Sequence, residues 1–174
     1  MKAFLPLAAL IACVTAAPAA RDAPSKFKLI ISASDSSINN CSLQATNDNE
    51  VDIMGTLQPA QYPGEEASVF YFDSVTGDLV TDSDLTGRKR YAYTLYSNYT
   101  SSLRFDVQGA WDESYSPKFT IANDGTFSPP NNLTWSWCPD DFNVGNGIYL
   151  PGSITLGPVF HGCEALYGVK AVAA

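Results

Sequence analysis

The chain has 174 residues, a formal net charge of −8 and a pI near 4.4. With 10 Lys and Arg against 18 Asp and Glu it lacks the basic footprint of a nucleic-acid binder, and its one basic cluster, Arg88-Lys89-Arg90, reads as a solvated turn. Beyond the first twenty or so residues no apolar stretch is long enough to span a bilayer, and residues 167–174, interrupted by Lys170, are too short for a lipid-anchor signal.

The amino terminus reads as an address rather than as fold. Met1-Lys2 supplies a basic start, residues 3–14 are apolar, and Val14-Thr15-Ala16 is a small-residue cleavage site. Residues 1–16 are therefore expected to be a secretory signal peptide, cut after Ala16 or close to it. Residues 17–26 are rich in Ala and Pro and are expected to be disordered. Residues 27–174 remain as one domain, a length that suits a single core.

Within that domain the apolar pattern has period 2 almost everywhere. Residues 27–32 form a first strand with Phe27, Leu29 and Ile31 on one face. Residues 34–49 are polar and read as a loop or short edge strand, and residues 51–57 as another short strand. Residues 58–66, with Pro59 and Pro63-Gly64, read as a loop. Residues 68–83 predict a hairpin: Val69-Phe70-Tyr71-Phe72, a turn at Thr76-Gly77, and a return through Leu79-Val80. Residues 82–90 read as a polar turn and residues 91–96 as an aromatic strand. In residues 102–108, Leu103, Phe105 and Val107 alternate with Arg104 and Asp106, the mark of a half-buried strand.

A second hairpin is predicted around Asn123-Asp124-Gly125, between Phe119-Thr120-Ile121 and Phe127. After Pro129-Pro130, Leu133, Trp135 and Trp137 share a face. Short β-prone pieces at 147–150 and 154–160 follow, and residues 167–172 close the domain. No amphipathic helix of three turns is present. Short strands with turn signals about every ten residues predict an all-β, antiparallel sandwich or barrel. The echo between the two Gly-turn hairpins leaves a β-trefoil-like arrangement as the alternative.

Cys13 leaves with the signal peptide, so Cys41, Cys138 and Cys163 remain. Cys138 and Cys163 each sit beside a strand-like run and are the expected disulfide, worth about 3 kcal/mol by loop closure. Cys41 is then a free thiol or one available to another chain. Asn40-Cys41-Ser42, Asn98-Tyr99-Thr100 and Asn132-Leu133-Thr134 are N-glycosylation sequons, which suits an extracellular protein.

A catalytic constellation is hard to assemble. The single histidine, His161, excludes a two-histidine site, lies in an apolar run and has no Gly-x-Ser-x-Gly elbow to serve. Three cysteines without Cys-x-x-Cys do not make a zinc site. Glu65-Glu66, Asp112-Glu113 and Asp140-Asp141 read as solvated neighbours rather than a hydrolase pair. Asp82-Ser83-Asp84 lacks the remaining ligands of a calcium loop. No metal or cofactor is expected. Trp111 and Tyr115, in a Gly/Pro-flanked polar loop, are the candidate sugar-stacking rings.

Taken in order, Phe119-Thr120-Ile121, Asp124-Gly125-Thr126-Phe127, Cys138-Pro139 after an aromatic strand, and Gly162-Cys163-Glu164-Ala165-Leu166 resemble the fungal PhiA-like secreted cell-wall proteins. That group includes proteins described as IgE-binding. Ser36-Ser37-Ile38 near the start of the domain also fits. The resemblance covers roughly the last 60 residues well and residues 27–110 loosely. It implies a non-enzymatic, glycosylated wall or secreted protein of a filamentous fungus, with Cys138 and Cys163 as a structural pair and no catalytic residues. Wall polysaccharide or other wall proteins are the implied partners. The alternative readings are a carbohydrate-binding module built on Trp111 and Tyr115, and a secreted effector or elicitor.

Overall fold

The computed structural model describes residues 25–46, 54–60, 67–82, 86–95, 101–107, 115–139, 142–143, 149–150, 152–159 and 161–174. The expected signal peptide and most of the Ala/Pro-rich segment lie outside them. The described residues form strands and one single-turn 3-10 element at Pro130–Asn132, and every strand pairing is antiparallel. The strands are β1 (Phe27–Ser32), β2 (Leu43–Ala45), β3 (Met54–Pro59), β4 (Phe70–Phe72), β5 (Leu79–Asp82), β6 (Lys89–Tyr93), β7 (Ser101–Ser102) and β8 (Arg104–Asp106). They continue as β9 (Thr120–Ile121), β10 (Thr126–Ser128), β11 (Trp135–Cys138), β12 (Phe142–Asn143), β13 (Tyr149–Leu150), β14 (Ser153–Leu156), β15 (Glu164–Ala165) and β16 (Gly168–Ala173).

A ten-stranded sheet runs β2-β3-β8-β6-β5-β4-β1-β16-β10-β9, and a four-stranded sheet runs β15-β11-β14-β7. β1 alternates as its sequence demands, with Phe27, Leu29 and Ile31 fully buried. One edge of β1 pairs along its whole length with β16, from Phe27↔Ala173 to Ser32↔Gly168. Its other edge is divided. Phe27 pairs with Phe70 of β4, while Ile30 bridges Ser42 and the Ile31 N–H donates to the Cys41 carbonyl at 3.0 Å. Because β2 stands at the far end of the sheet order, this contact brings the sheet back on itself. β1, β4, β5, β6, β8, β3 and β2 thus enclose a barrel-like core. Closure satisfies an edge that would otherwise expose unpaired backbone groups.

The two sheets share a strand. Between β7 and β8, the Leu103 N–H donates to the Ile154 carbonyl and the Leu103 carbonyl accepts from the Leu57 N–H, both at 3.0 Å. The chain changes sheet at that one buried residue, the corner device of packed β-layers. A second crossing follows β15. The Leu166 N–H donates to the Trp135 carbonyl at 2.9 Å, and the very next N–H, that of Tyr167, donates to the Ser32 carbonyl at 2.8 Å.

Aromatic rings fill the space between the sheets. Phe127 stacks on Phe119 at 4.9 Å and on Trp135 at 5.8 Å between ring centroids, and meets Phe27 at 5.9 Å. Trp135 also donates its indole N–H to the Phe127 carbonyl at 3.3 Å, which meets the usual need of a buried tryptophan. Leu133 and Trp137 pack against the same core as the period-2 reading requires.

Both predicted hairpins form, β4–β5 and β9–β10. In the second, the Gly125 N–H donates to the Ala122 carbonyl and Thr126 pairs with Ala122, a three-residue loop ending in a left-handed residue. Gly125 has φ +84°, and a Cβ there would lie 3.0 Å from the Ala171 carbonyl of β16. The two hairpins hold unlike places, β4–β5 inside the sheet order and β9–β10 at one end.

Three sequence expectations need correcting. Arg90 is strand and core: it is 1 % exposed, and its guanidinium donates to the Thr46 and Ala45 carbonyls at 3.1 and 3.2 Å. The turn ends before Lys89, because Arg90 pairs with Thr81 on the inward face. Asp106 is 2 % exposed rather than solvated, since Thr56 and Tyr93 on neighbouring strands are buried as well and that face is covered too. Lys26, assigned to the disordered segment, already extends the sheet: its carbonyl accepts from the Ala174 N–H at 3.2 Å.

Cys138 and Cys163 form the expected disulfide, with a Cα separation of 4.3 Å. β11 and β15 pair Ser136↔Ala165 and Trp137↔Glu164, so the next opposed pair in that register is Cys138 and Cys163. Replacing both cysteines by alanine is expected to lower stability by about 3 kcal/mol in urea unfolding, from the loop of 25 residues; no loss would mean the ladder alone holds β15. Gly125→Ala should cost about 1–2 kcal/mol through its left-handed backbone and the crowding against Ala171. An unchanged urea midpoint would show that the turn relaxes.

Candidate functional site

The sequence-predicted site residues do not converge. Trp111 and Asn98 lie outside the described residues, as do Glu65-Glu66, Asp112-Glu113, Asp140-Asp141 and Asp84. Tyr115 is half-buried and tied by its backbone to Thr94, with both N–H···O bonds at 2.9 Å. His161 is exposed. Among the described residues no group of three or more His, Cys, Asp or Glu is placed to hold a metal.

Cys41 is a free, half-buried thiol whose Sγ donates to the Ser37 carbonyl at 3.5 Å. Asn40 beside it is exposed and left-handed, with φ 64°. Asn132 is likewise exposed, with φ 55°, at the end of the 3-10 turn. Asparagine tolerates this region better than most residues. Two of the three sequons thus stand on tight surface turns with their side chains in solvent.

The arrangement richest in polar chemistry lies elsewhere, on the outward face of β4, β5 and β6. Phe70 points into the core against Phe27, so Tyr71 points out. Tyr71 stands in register with Val80 and Tyr91, and its hydroxyl donates to Asp82 Oδ1 at 2.7 Å. Lys26 and Lys89 place their ammonium groups 5.7 and 6.0 Å from the Tyr71 ring centroid, within reach of a cation–π attraction. Lys89 also pairs with Asp73 at 3.1 Å.

Asp73 begins the β4–β5 turn. Its carboxylate accepts from the Val75 and Thr76 N–H groups at 2.9 and 3.1 Å, an Asx-type turn. These bonds, Thr76 first, and the Lys89 ammonium hold its pKa down from 3.8 to about 2. In Asp78, at the other end of the turn, burial works upward, but bonds from Lys118, Ser116 and Thr76 outweigh it and leave the pKa lowered. Burial and the bond to Asp82 together push the Tyr71 phenol above its ordinary value.

The phenol therefore stays a hydrogen-bond donor, and Asp73, Asp78 and Asp82 are all engaged by neighbours. The face thus presents a ring and ammonium groups held in fixed positions by contacts within the molecule. Sequence reasoning missed it because Tyr71 lies in a run of three aromatic residues, where only the register separates the outward ring from the inward two. Comparison with protein-family models, with curated proteins and with solved structures finds no match.

The Asp73 linkage has a definite sign. A native pKa below the unfolded value contributes stability that is complete above about pH 4 and is lost as pH falls through 2. Wild-type protein should therefore lose melting temperature between pH 4 and pH 2. Asp73→Asn should melt lower at pH 5 and fall less on acidification; parallel curves would remove Asp73 from the linkage.

Proposed function

We propose that this is an extracellular, N-glycosylated protein of the fungal cell surface or wall, acting through its shape and surface rather than through catalysis. The observation that carries the reading is the placement of Asn40 and Asn132, exposed on left-handed surface turns of a disulfide-stapled β-domain. A glycan at either position meets no core residue. The cross-strand disulfide supports the same compartment, because such bonds persist where the environment is oxidising. The resemblance of residues 119–166 to PhiA-like wall proteins points the same way. Among the described residues no helix is long and apolar enough to cross a membrane.

Fractionation of the producing organism tests the reading. The chain is expected in wall material, released by detergent, reductant or glucanase. Presence in the culture medium alone would favour a soluble effector, and retention inside the cell would overturn the proposal. Treatment with an N-glycosidase should lower the apparent mass by more than one glycan unit, and Asn40→Gln with Asn132→Gln should remove most of that shift. An unchanged mass would show that the sequons are silent.

A further inference from the structure

Four of the chain's six lysines, Lys26, Lys28, Lys89 and Lys170, lie on one sheet face. β1 buries Phe27, Leu29 and Ile31, so Lys28 and Ile30 project outward. On β16, Val169 and Ala171 are buried while Lys170 and Val172 are exposed. The register sets Lys28 opposite Val172 and Ile30 opposite Lys170. Lys28 and Lys170 are therefore diagonal neighbours, about 7–8 Å apart by sheet geometry. Lys26 precedes them on the same side of β1, over the Tyr71 ring, and Lys89 flanks that ring from β6.

The acids on this face are mostly committed. Asp73 is paired with Lys89, and Asp82 accepts from Tyr71. Asp124, whose carboxylate is held by the Thr126 N–H, is the acid that feels Lys170. The ion pairs among the described residues are Lys89–Asp73 and Lys118–Asp78. Lys26, Lys28 and Lys170 make none. A chain of net charge −8 thus sets two like charges diagonally across a strand pair, next to a ring whose hydroxyl is fixed. Solubility does not require that arrangement, since the acidic remainder already supplies it.

We propose that the outward face of β1 and β16, continued to Tyr71, binds an acidic polysaccharide. The lysines would meet repeated acid groups along the polymer, with the Tyr71 ring holding Lys26 and Lys89 in place beneath it. Charge complementarity selects this occupant over a neutral glucan. The inference rests on the wall-associated reading above, but it is read on purified components, so the two can fail separately.

The test measures retention of the purified, glycosylated protein on immobilised polygalacturonate and on neutral β-glucan, at low and at high salt. The wild type should bind the polyuronate at low salt and release as salt screens the charges. Lys28→Gln with Lys170→Gln should weaken binding by roughly tenfold or more. Lys26→Gln, which keeps the backbone carbonyl that accepts from Ala174, should also weaken it. Val75→Asp with Ser36→Asp gives the same change in net charge at exposed positions away from β1 and β16, and should leave most of the binding in place. Equal loss in both pairs, or absence of wild-type retention, would overturn the proposal. So would retention on neutral glucan alone, or a lysine-dependent dimer in place of polymer binding, which would make a second copy the occupant.

Discussion

The pairing of β1 with β16 is the constraint on which the rest depends. It joins the first and last strands of the described domain in a full six-residue ladder. β1 is also the strand at which the barrel-like ring closes, through Phe70 on one stretch and Ser42 on the other. β16 in turn carries β10, and β10 carries the Phe127 ring that reaches Trp135 in the second sheet. Without β16 beside β1, the aromatic contact between the sheets loses its support on one side. Such long-range pairing is costly in loop entropy before any contact is gained, so anything that positions β16 in advance is valuable.

The disulfide supplies that positioning. It joins opposed residues at the end of the β11–β15 ladder, so β15 is held against the tryptophan strand. Glu164 adds bonds from the Ser34 hydroxyl and the Asp35 N–H, which tie β15 to the loop leaving β1. The last backbone bond to β11, made by Leu166, and the first to β1, made by Tyr167, come from consecutive residues. The staple therefore fixes where the chain leaves one sheet and enters the other. Its value lies in delivering β16 as well as in shortening the unfolded chain.

Much of this was legible from local pattern, because strand faces obey period 2 and turn residues obey backbone sterics. Phe27-Leu29-Ile31, the Asn123-Asp124-Gly125 turn and the Trp135 face are consequences of a few adjacent residues. What escaped were features decided by distant partners. Arg90 looks like part of a charged turn until the Ala45 and Thr46 carbonyls, some 45 positions away, are brought to its guanidinium. Asp106 alternates like a solvated residue, yet the outward face of its strand is covered. Tyr71 is indistinguishable from Phe70 and Phe72 until the pairing of β4 with β1 sets which ring faces out.

The same logic explains how an acidic protein carries a basic face. Inward positions of β6 and β1 are claimed by the core, including Arg90, whose charge is spent on backbone carbonyls. On β5, β6 and β8 outward positions such as Val80, Tyr93 and Asp106 are covered as well, whereas on β16 Lys170 and Val172 are exposed. On β5 and β6 the outward charges are paired or hydrogen-bonded within the molecule, as Asp82 and Lys89 show. On β1 and β16, Lys28 is half-buried and Lys170 exposed, both beside apolar Val172. The fold thus answers its charges locally on one part of the sheet and leaves Lys28 and Lys170 without an ion pair among the described residues on the adjoining part, the contrast on which the proposed polysaccharide contact rests.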